Sequence, residues 1–152
     1  MTRTAVITGG TGGMGLATAR ILGKDHRVVL ADLDQGRLDT AVATLVAEGI
    51  DAAGSVCDVT DRGSVDALFS FAAEGDHHVR AVVHAAGVSP QMGSAEFVAR
   101  INAIGTVHVS RAYLEGDVLV NVASVAGHSI PKALVPTRSF PLAETDPAPS
   151  CA

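Results

Sequence analysis

Short apolar runs recur along the chain, separated by longer segments in which apolar residues repeat at helical spacing. The five runs are Ala5–Ile7, Val28–Leu30, Ala52–Val56, Ala81–Val83 and Val118–Val122. Most of them are continuous rather than alternating, which is typical of parallel strands that are covered on both faces. Repeated strand–helix–strand units of this kind predict an α/β fold, a parallel sheet with right-handed crossovers.

Three of the helical segments carry an apolar face behind a residue suited to cap a helix. Side chains three and four positions apart share a helix face, and Ser, Thr or Asp before the first turn accepts a backbone N–H. The predicted faces are Leu38, Val42, Leu45 and Val46 behind Asp34; Val65, Leu68, Phe69 and Ala72 behind Thr60 or Asp61; and Val98, Ile101, Gly105 and His108 in a longer helix that starts near Ser94.

A glycine-rich turn, residues 8–15, lies between the first apolar run and the alanine-rich helical segment Leu16–Leu22. Glycines let the backbone turn tightly and approach a pyrophosphate, and the N–H groups and dipole of the following helix favour its charge. The order of strand, glycine turn and helix is that of a dinucleotide site. It predicts cofactor contacts from Gly9, Thr11, Gly12, Gly13, Met14 and Gly15.

Asp32 ends the second strand, 17 positions after Gly15, which is close to the ~20 expected for an acid that binds an adenosine ribose. A carboxylate there accepts hydrogen bonds from both ribose hydroxyls and repels a 2′-phosphate. Because Leu33 follows it and no Arg or Lys lies inside the glycine turn, NAD is favoured over NADP. The alternative role for Asp32 is that of a helix cap.

Two further strand ends carry candidate cofactor contacts. Asp58 follows the third strand, where its carboxylate is placed to meet the adenine edge while Val59 packs on the ring. A turn-forming Asp explains the same position equally well. After the fourth strand, the small residues Ala85, Ala86 and Gly87 let the backbone pass close to a cofactor.

The histidines are not expected to be catalytic or to bind metal. His84, at the end of the fourth strand, is predicted to be a structural hydrogen-bonding residue. His77 and His78 lie in a predicted polar loop without a carboxylate or cysteine at ligand spacing. We therefore predict no metal site.

The composition agrees with a single globular domain of 152 residues, 47% hydrophobic and 18% charged. The net charge of −5 argues against a nucleic-acid or anionic membrane surface, and no apolar run reaches bilayer length. Two cysteines, Cys57 and Cys151, suggest no disulfide framework, and no signal peptide is visible. We expect a cytoplasmic protein without nucleic-acid or membrane partners.

In their order and spacing, these motifs resemble the short-chain dehydrogenase/reductase family. The segments that carry the resemblance are Thr8-Gly-x-x-x-Gly-x-Gly15, Asp32, Asp58-Val59, His84-Ala-Ala-Gly87, Asn102-Ala-Ile-Gly105 and Val120-Asn-Val-Ala-Ser-Val-Ala-Gly127. Gly12 also fits the family's extended, epimerase-like branch, whereas the Asn102 and Ser124 segments favour the compact oxidoreductase branch.

The resemblance implies a Rossmann-type, doubly wound parallel sheet of strand order 3-2-1-4-5 and an NAD(P)-dependent oxidoreductase acting on an alcohol/ketone pair. It further implies that Asn102 supports a proton-relay water and that Ser124 hydrogen-bonds the substrate carbonyl or hydroxyl. On local chemistry alone, Asn102 is a mid-helix polar residue and Ser124 a loop serine. The helix of Asn102 usually lies in a subunit interface of such proteins, so a homo-oligomer is one expectation.

The sequence departs from the family pattern after Ser124. The family's acid/base is a tyrosine in a Tyr-x-x-x-Lys pair about thirteen residues after the serine, where the lysine lowers the tyrosine pKa. Here position 137 is Thr and position 141 is Pro. Tyr113 is the only tyrosine, and Asp117 lies four residues on, so it cannot substitute.

The departures predict a C-terminally truncated member. We expect an incomplete NAD-binding domain over residues 1–127 and an irregular tail over 128–152, which holds five of the six prolines. The family's last strands are expected to be absent, so Val118–Val122 becomes an uncovered edge. Asp146–Ala152 is expected to be disordered. The alternatives to a weakly active oxidoreductase are a non-catalytic NAD-binding module and an inactive fragment.

Overall fold

The computed structural model describes residues 2–113 and 117–124. Five strands form the sheet, and they are β1 (Thr2–Thr8), β2 (Arg27–Asp32), β3 (Ala52–Val56), β4 (His77–His84) and β5 (Val118–Asn121). The α-helices between them are α1 (Gly13–Leu22), α2 (Gln35–Ala47), α3 (Arg62–Ala72), α4 (Ala95–Ala99) and α5 (Gly105–Ala112). A short 3₁₀ turn (Pro90–Met92) precedes α4, and a π-helical segment (Arg100–Ile104) joins α4 to α5.

The strands are all parallel and lie in the order β3-β2-β1-β4-β5, which confirms the predicted fold. The chain therefore winds in one direction from β1 to β3 and returns across β1 to reach β4. In register, Thr8 pairs with both Ala31 and His84 at the carboxyl ends of the strands. This topological switch point is where open α/β sheets form a ligand crevice.

Apolar side chains of the central strands are buried on both faces of the sheet. Val6 and Val29 join the cluster on one face, and Ile7 and Leu30 join the cluster on the other. Successive strand residues point to opposite faces. A sheet covered by helices on both sides therefore requires the continuous apolar runs seen in the sequence.

The face of α2 is partly corrected by the structure. Leu38 and Leu45 are fully buried as predicted, but Val46 is 54% exposed and Ala41 takes the third buried position. Positions 38, 41 and 45 follow one narrow stripe at helical spacing, and Val46 lies one residue beyond it. The predicted cap is confirmed, because Asp34 Oδ1 accepts the Arg37 N–H at 2.9 Å.

The cap of α3 is Asp61, which accepts the Gly63 N–H at 2.9 Å. The predicted face is confirmed, with its Val and Leu buried and Phe69 partly buried. The predicted polar loop at His77 and His78 is wrong, since both residues begin β4. They pair with the first residues of β1, so sheet pairing overrides their local polarity.

The helix predicted to start near Ser94 does so, with the Ser94 side chain accepting the Phe97 N–H at 3.2 Å. The π segment within it was not predicted. After it, in α5, Gly105 is buried as predicted, and Val109 is buried in place of His108, which is only half-buried. A π segment inside an α-helix often marks a functional position.

β5 is an outer strand of the sheet. Its apolar side chains are poorly covered, as predicted, because Val118 is 51% and Val120 46% exposed. Residues 1–122 form one compact unit, and a second unit begins at Ala123. The predictions for the tail, including disorder of Asp146–Ala152, lie outside the described residues. Among the described residues, the helices lack the length and apolar surface that a bilayer crossing requires.

Candidate dinucleotide site at the carboxyl edge of the sheet

A cavity of about 490 Å³ opens at the carboxyl ends of β1, β2 and β4 and beside the segment that follows β3. All the predicted cofactor contacts line it except Thr11, and these are Gly9, Gly12, Gly13, Met14, Gly15, Asp32, Leu33, Asp58, Val59, Ala85, Ala86 and Gly87. Lining residues that the motifs did not single out for this site include Arg37, Met92, Phe97, Arg100 and Ile101. Four distant parts of the sequence therefore meet at one crevice.

The glycine turn brings the backbone of β1 close to the end of β4. Gly9 has φ +65°, and a Cβ on it would lie 2.8 Å from the carbonyl oxygen of Ala85. A Cβ on Gly15 would collide with the carbonyl oxygen of Gly9. A Cβ on Gly13, by contrast, would have no described atom within 4 Å. Packing thus excludes side chains at two of these glycines, while the third faces open space.

The start of α1 is available to an anion. Gly12 occupies the N-cap position, and no side chain of the described residues caps this helix. The N–H groups of a first helical turn have no intrahelical acceptor, and they carry the positive end of the helix dipole. Such a terminus favours a phosphate.

The carboxylate of Asp32 joins the end of β2 to the glycine turn. Its Oδ2 accepts the backbone N–H of Thr11 at 3.2 Å and also the Thr11 hydroxyl. Its Oδ1 accepts the N–H of Leu33 at 2.9 Å. Because Asp34 caps α2, the alternative role of Asp32 as the helix cap is wrong. Thr11 therefore contacts this site through Asp32 rather than through the cavity wall.

The Asp58 side chain makes the hydrogen bonds of a turn-forming aspartate, which was its alternative role. Its Oδ1 accepts the backbone N–H and the hydroxyl of Thr60, each at 2.8 Å. The neighbouring Val59 is almost fully buried, and a Cβ on Gly105 would lie 2.7 Å from its Cγ2. His108 Nδ1 also donates to the Val59 carbonyl at 3.0 Å. The turn after β3 is thus held against α5 while lining the cavity.

Asn102 lies in the π segment and clamps the loop that follows β4. Its Nδ2 donates to the carbonyl of Val88 at 2.8 Å, and the Val88 N–H donates to its Oδ1 at 2.9 Å. The side-chain amide therefore has both of its polar ends on one residue of the cavity wall. Sequence spacing did not predict this contact, because the two residues belong to different elements.

His84 is the structural hydrogen-bonding residue that the sequence predicted. Its exposed fraction is 2%. Nδ1 lies 2.7 Å from Thr8 Oγ1, and Nε2 lies 3.1 Å from Thr106 Oγ1. Burial lowers the pKa of the imidazole, so the ring is neutral at pH 7.

Tyr113 lies at the opposite edge of the sheet. Its hydroxyl donates to the carbonyl of Val79, near the start of β4, at 3.1 Å, and it accepts the Asp117 N–H at 3.1 Å. The ring stacks on Phe69 at 5.9 Å, and burial raises the pKa of the phenol. The single tyrosine of the chain therefore contacts the amino end of β4 and is not among the residues that line the cavity.

Ser124 follows β5 and belongs to the second compact unit, which begins at Ala123. Ser124 has at least one interaction partner.

Comparison with known proteins shows which family this sequence matches. The sequence model of the short chain dehydrogenase family matches residues 3–136. A human protein, dehydrogenase/reductase SDR family member 2, mitochondrial, is 41% identical over 93 residues, which are 60% of this chain and 33% of that protein.

Two solved structures share the fold. An actinorhodin polyketide ketoreductase with NADPH aligns with a TM-score of 0.76 at 29% identity, over 84% of this chain and 55% of that chain. A short chain dehydrogenase/reductase from Burkholderia phymatum in complex with NAD aligns with a TM-score of 0.71 at 33% identity, over 83% of this chain and 50% of that chain.

The chain spans about half the length of these two solved chains and a third of the human relative. The two solved relatives hold different forms of the nicotinamide cofactor, NADPH and NAD. The family match covers most of this chain, and the sheet order and the crevice agree with it. This chain belongs to the short chain dehydrogenase family.

Proposed function

We propose that this chain is the dinucleotide-binding part of an oxidoreductase that moves hydride between NAD and an alcohol/ketone pair. The observation that supports the proposal most strongly is the cavity at the carboxyl edge, where four strand ends converge. When bound, NAD supplies the hydride acceptor, and the protein supplies binding and orientation.

The glycine turn fits a diphosphate. The uncapped start of α1 offers N–H donors, and the open space at Gly13 leaves room for phosphate oxygens. Gly9 and Gly15 keep the turn closed against β4 and against itself. A larger residue at either position displaces the donors from the crevice.

Asp32 is the proposed partner of the adenosine ribose. Its two oxygens are already oriented by Thr11 and Leu33, and a carboxylate retains further lone pairs for ribose hydroxyls. A 2′-phosphate beside it would meet like charge. Arg37 also lines the cavity, yet the ribose hydroxyls and the repulsion favour NAD over NADP.

Calorimetric titration of the chain with NADH and NADPH tests this assignment. We expect NADH to bind about tenfold or more tightly than NADPH, and Asp32→Arg to remove that preference. Asp66→Arg is the matched control, since it reverses an exposed charge on α3 outside the cavity lining. An unchanged preference in Asp32→Arg contradicts the ribose role.

We assign the catalytic roles by family resemblance. Ser124 is the proposed hydrogen-bond partner of the substrate carbonyl or hydroxyl, and Asn102 the proposed support of a relay water. With Tyr113 hydrogen-bonded at the other edge of the sheet, we expect little turnover by the 152-residue chain. That placement favours a second candidate function, a non-catalytic NAD-binding module.

Parallel binding and turnover assays separate these functions. Micromolar NADH binding without NADH oxidation over a panel of ketones supports the binding module. Robust oxidation supports the enzyme and contradicts the expected lack of a proton donor. Absence of NADH binding to the folded chain refutes both functions and leaves an inactive fragment.

A further inference from the structure

Four hydrogen bonds that involve side chains form a continuous series, which starts at the cavity-lining residue Ala86. The Ala86 N–H donates to Thr8 Oγ1 at 3.3 Å, and Thr8 Oγ1 lies 2.7 Å from His84 Nδ1. On the other side of the ring, His84 Nε2 lies 3.1 Å from Thr106 Oγ1, whose hydroxyl donates to the Asn102 carbonyl at 2.8 Å. This series of hydrogen bonds thus connects the loop after β4 to the π segment.

Only one set of directions satisfies all four bonds. A carbonyl only accepts, so Thr106 gives its single hydroxyl proton to Asn102 and must accept from His84 Nε2. A neutral imidazole has one N–H, so Nδ1 is the acceptor and Thr8 donates to it. The hydroxyl oxygen of Thr8 then accepts from Ala86. The tautomer of His84 follows from its neighbours.

One end of this series of hydrogen bonds lies in the cavity wall, and the other lies directly next to it in the sequence. Ala86 lines the cavity, and so do Arg100 and Ile101 immediately before Asn102. The Asn102 side chain is clamped to Val88, while its main chain is held through Thr106. Asn102 is therefore held in two ways. Its side chain is hydrogen-bonded directly to Val88 in the loop after β4, and its carbonyl is connected through Thr106 to His84 at the end of β4.

We infer that His84 is a positioning residue: through its Nε2–H tautomer it couples the Ala86 amide to the Asn102 carbonyl and so sets the spacing of that cavity wall. The inference rests on the proposed function only for the identity of the ligand. Removing one link, such as the Thr106 hydroxyl, loosens the Ala86 amide although the two residues do not touch.

Nitrogen-15 NMR of the full chain tests the tautomer directly. Long-range proton–nitrogen spectra are expected to show a protonated Nε2 and an unprotonated Nδ1 for His84 at neutral pH. A proton on Nδ1 overturns the inference. This readout needs neither a ligand nor a variant.

Hydrogen exchange tests the coupling. We expect Thr106→Val to speed exchange of the Ala86 amide by about tenfold, the equivalent of one net hydrogen bond, and to weaken NADH binding several-fold. Thr106→Ser is expected to restore both. Thr44→Val is the matched control, because Thr44 makes the same bond to a carbonyl one turn earlier, at 2.8 Å to Thr40, without a histidine.

The outcomes separate the two proposals. Unchanged Ala86 exchange in Thr106→Val, or an equal change in Thr44→Val, overturns the coupling. If the wild type binds no NADH, the proposed function fails, while the tautomer and the exchange rates still decide the role of His84. If Thr106→Val does not fold, the tautomer of the wild type decides it.

Discussion

The carboxyl ends and the amino ends of the strands, here called the carboxyl edge and the amino edge, each hold a buried titratable group with two hydrogen-bond partners. Among the described residues, the cavity of the candidate site lies at the carboxyl edge. At the carboxyl edge, His84 lies between Thr8 and Thr106. At the amino edge, the Tyr113 hydroxyl lies between Val79 and Asp117. Both groups have shifted pKa values, and burial is the main cause of each shift.

The edges differ in what surrounds the buried group. Gly9, Ala85 and Ala86 bring bare backbone together at the carboxyl edge, which leaves open space above it. At the amino edge, Tyr113 stacks on Phe69 and joins the apolar core. A shifted pKa therefore does not by itself distinguish the candidate site from the core; what distinguishes it is bare backbone at the converging strand ends, which lines a cavity.

The largest expected effect is that of Gly15→Ala. The added Cβ collides with the Gly9 carbonyl, so we expect a loss of about 1–3 kcal/mol in the free energy of unfolding and no measurable NADH binding. Urea denaturation and calorimetry measure the two effects. Gly13→Ala is the matched control, because open space at Gly13 predicts an unchanged stability. Equal destabilisation by both variants contradicts this account of the turn.

Tyr113→Phe is expected to have the next largest effect, confined to the amino edge. It leaves the Val79 carbonyl and the Asp117 N–H without their shared partner, which costs about 1–2 kcal/mol of stability. We expect the NADH affinity of the folded protein to stay at the wild-type value. A parallel fall in affinity would show that the two edges are coupled.

A smaller effect is expected from the titration of His84. Burial lowers its pKa in the folded state, so the unfolded chain binds more protons once the pH falls below the ordinary value of about 6.5. The contribution to stability is therefore complete above that pH and is lost as the pH falls towards the folded pKa. Urea midpoints from about pH 8 to about pH 5 should decline less in His84→Asn than in the wild type. Equal slopes contradict the assignment.

The smallest effect is expected at the amino edge, where Arg80 forms an ion pair with Asp117. Both side chains are exposed by more than a third, so solvent screens the attraction. A double-mutant cycle with Arg80→Gln and Asp117→Asn should give a coupling of at most about 1 kcal/mol. A larger coupling energy would mean that this ion pair, rather than the hydrogen bonds of Tyr113, is the main stabilising interaction at the amino edge.

The strand pattern and the turn residues were readable because they are local. Continuous apolar runs predicted a sheet covered on both faces, and Asp34 and Ser94 marked helix starts that the structure confirms. The motifs also predicted which distant residues line one cavity. Their proposed cofactor roles remain predictions.

What the sequence did not predict depends on contacts between elements. The π segment, the clamp between Asn102 and Val88, and the link from His84 to Thr106 all join parts of the chain that no local spacing connects. Val46 and the start of β4 were misassigned for the same reason, since the position of a partner element decides which residues pair or are buried.

The most direct test is a crystal structure of the chain soaked with NADH. The account predicts the diphosphate at the N–H groups of residues 13–15 and the adenosine ribose on the Asp32 carboxylate, with the amino edge empty. A dinucleotide bound elsewhere, or an ordered protein with its ribose hydroxyls away from Asp32, would contradict it.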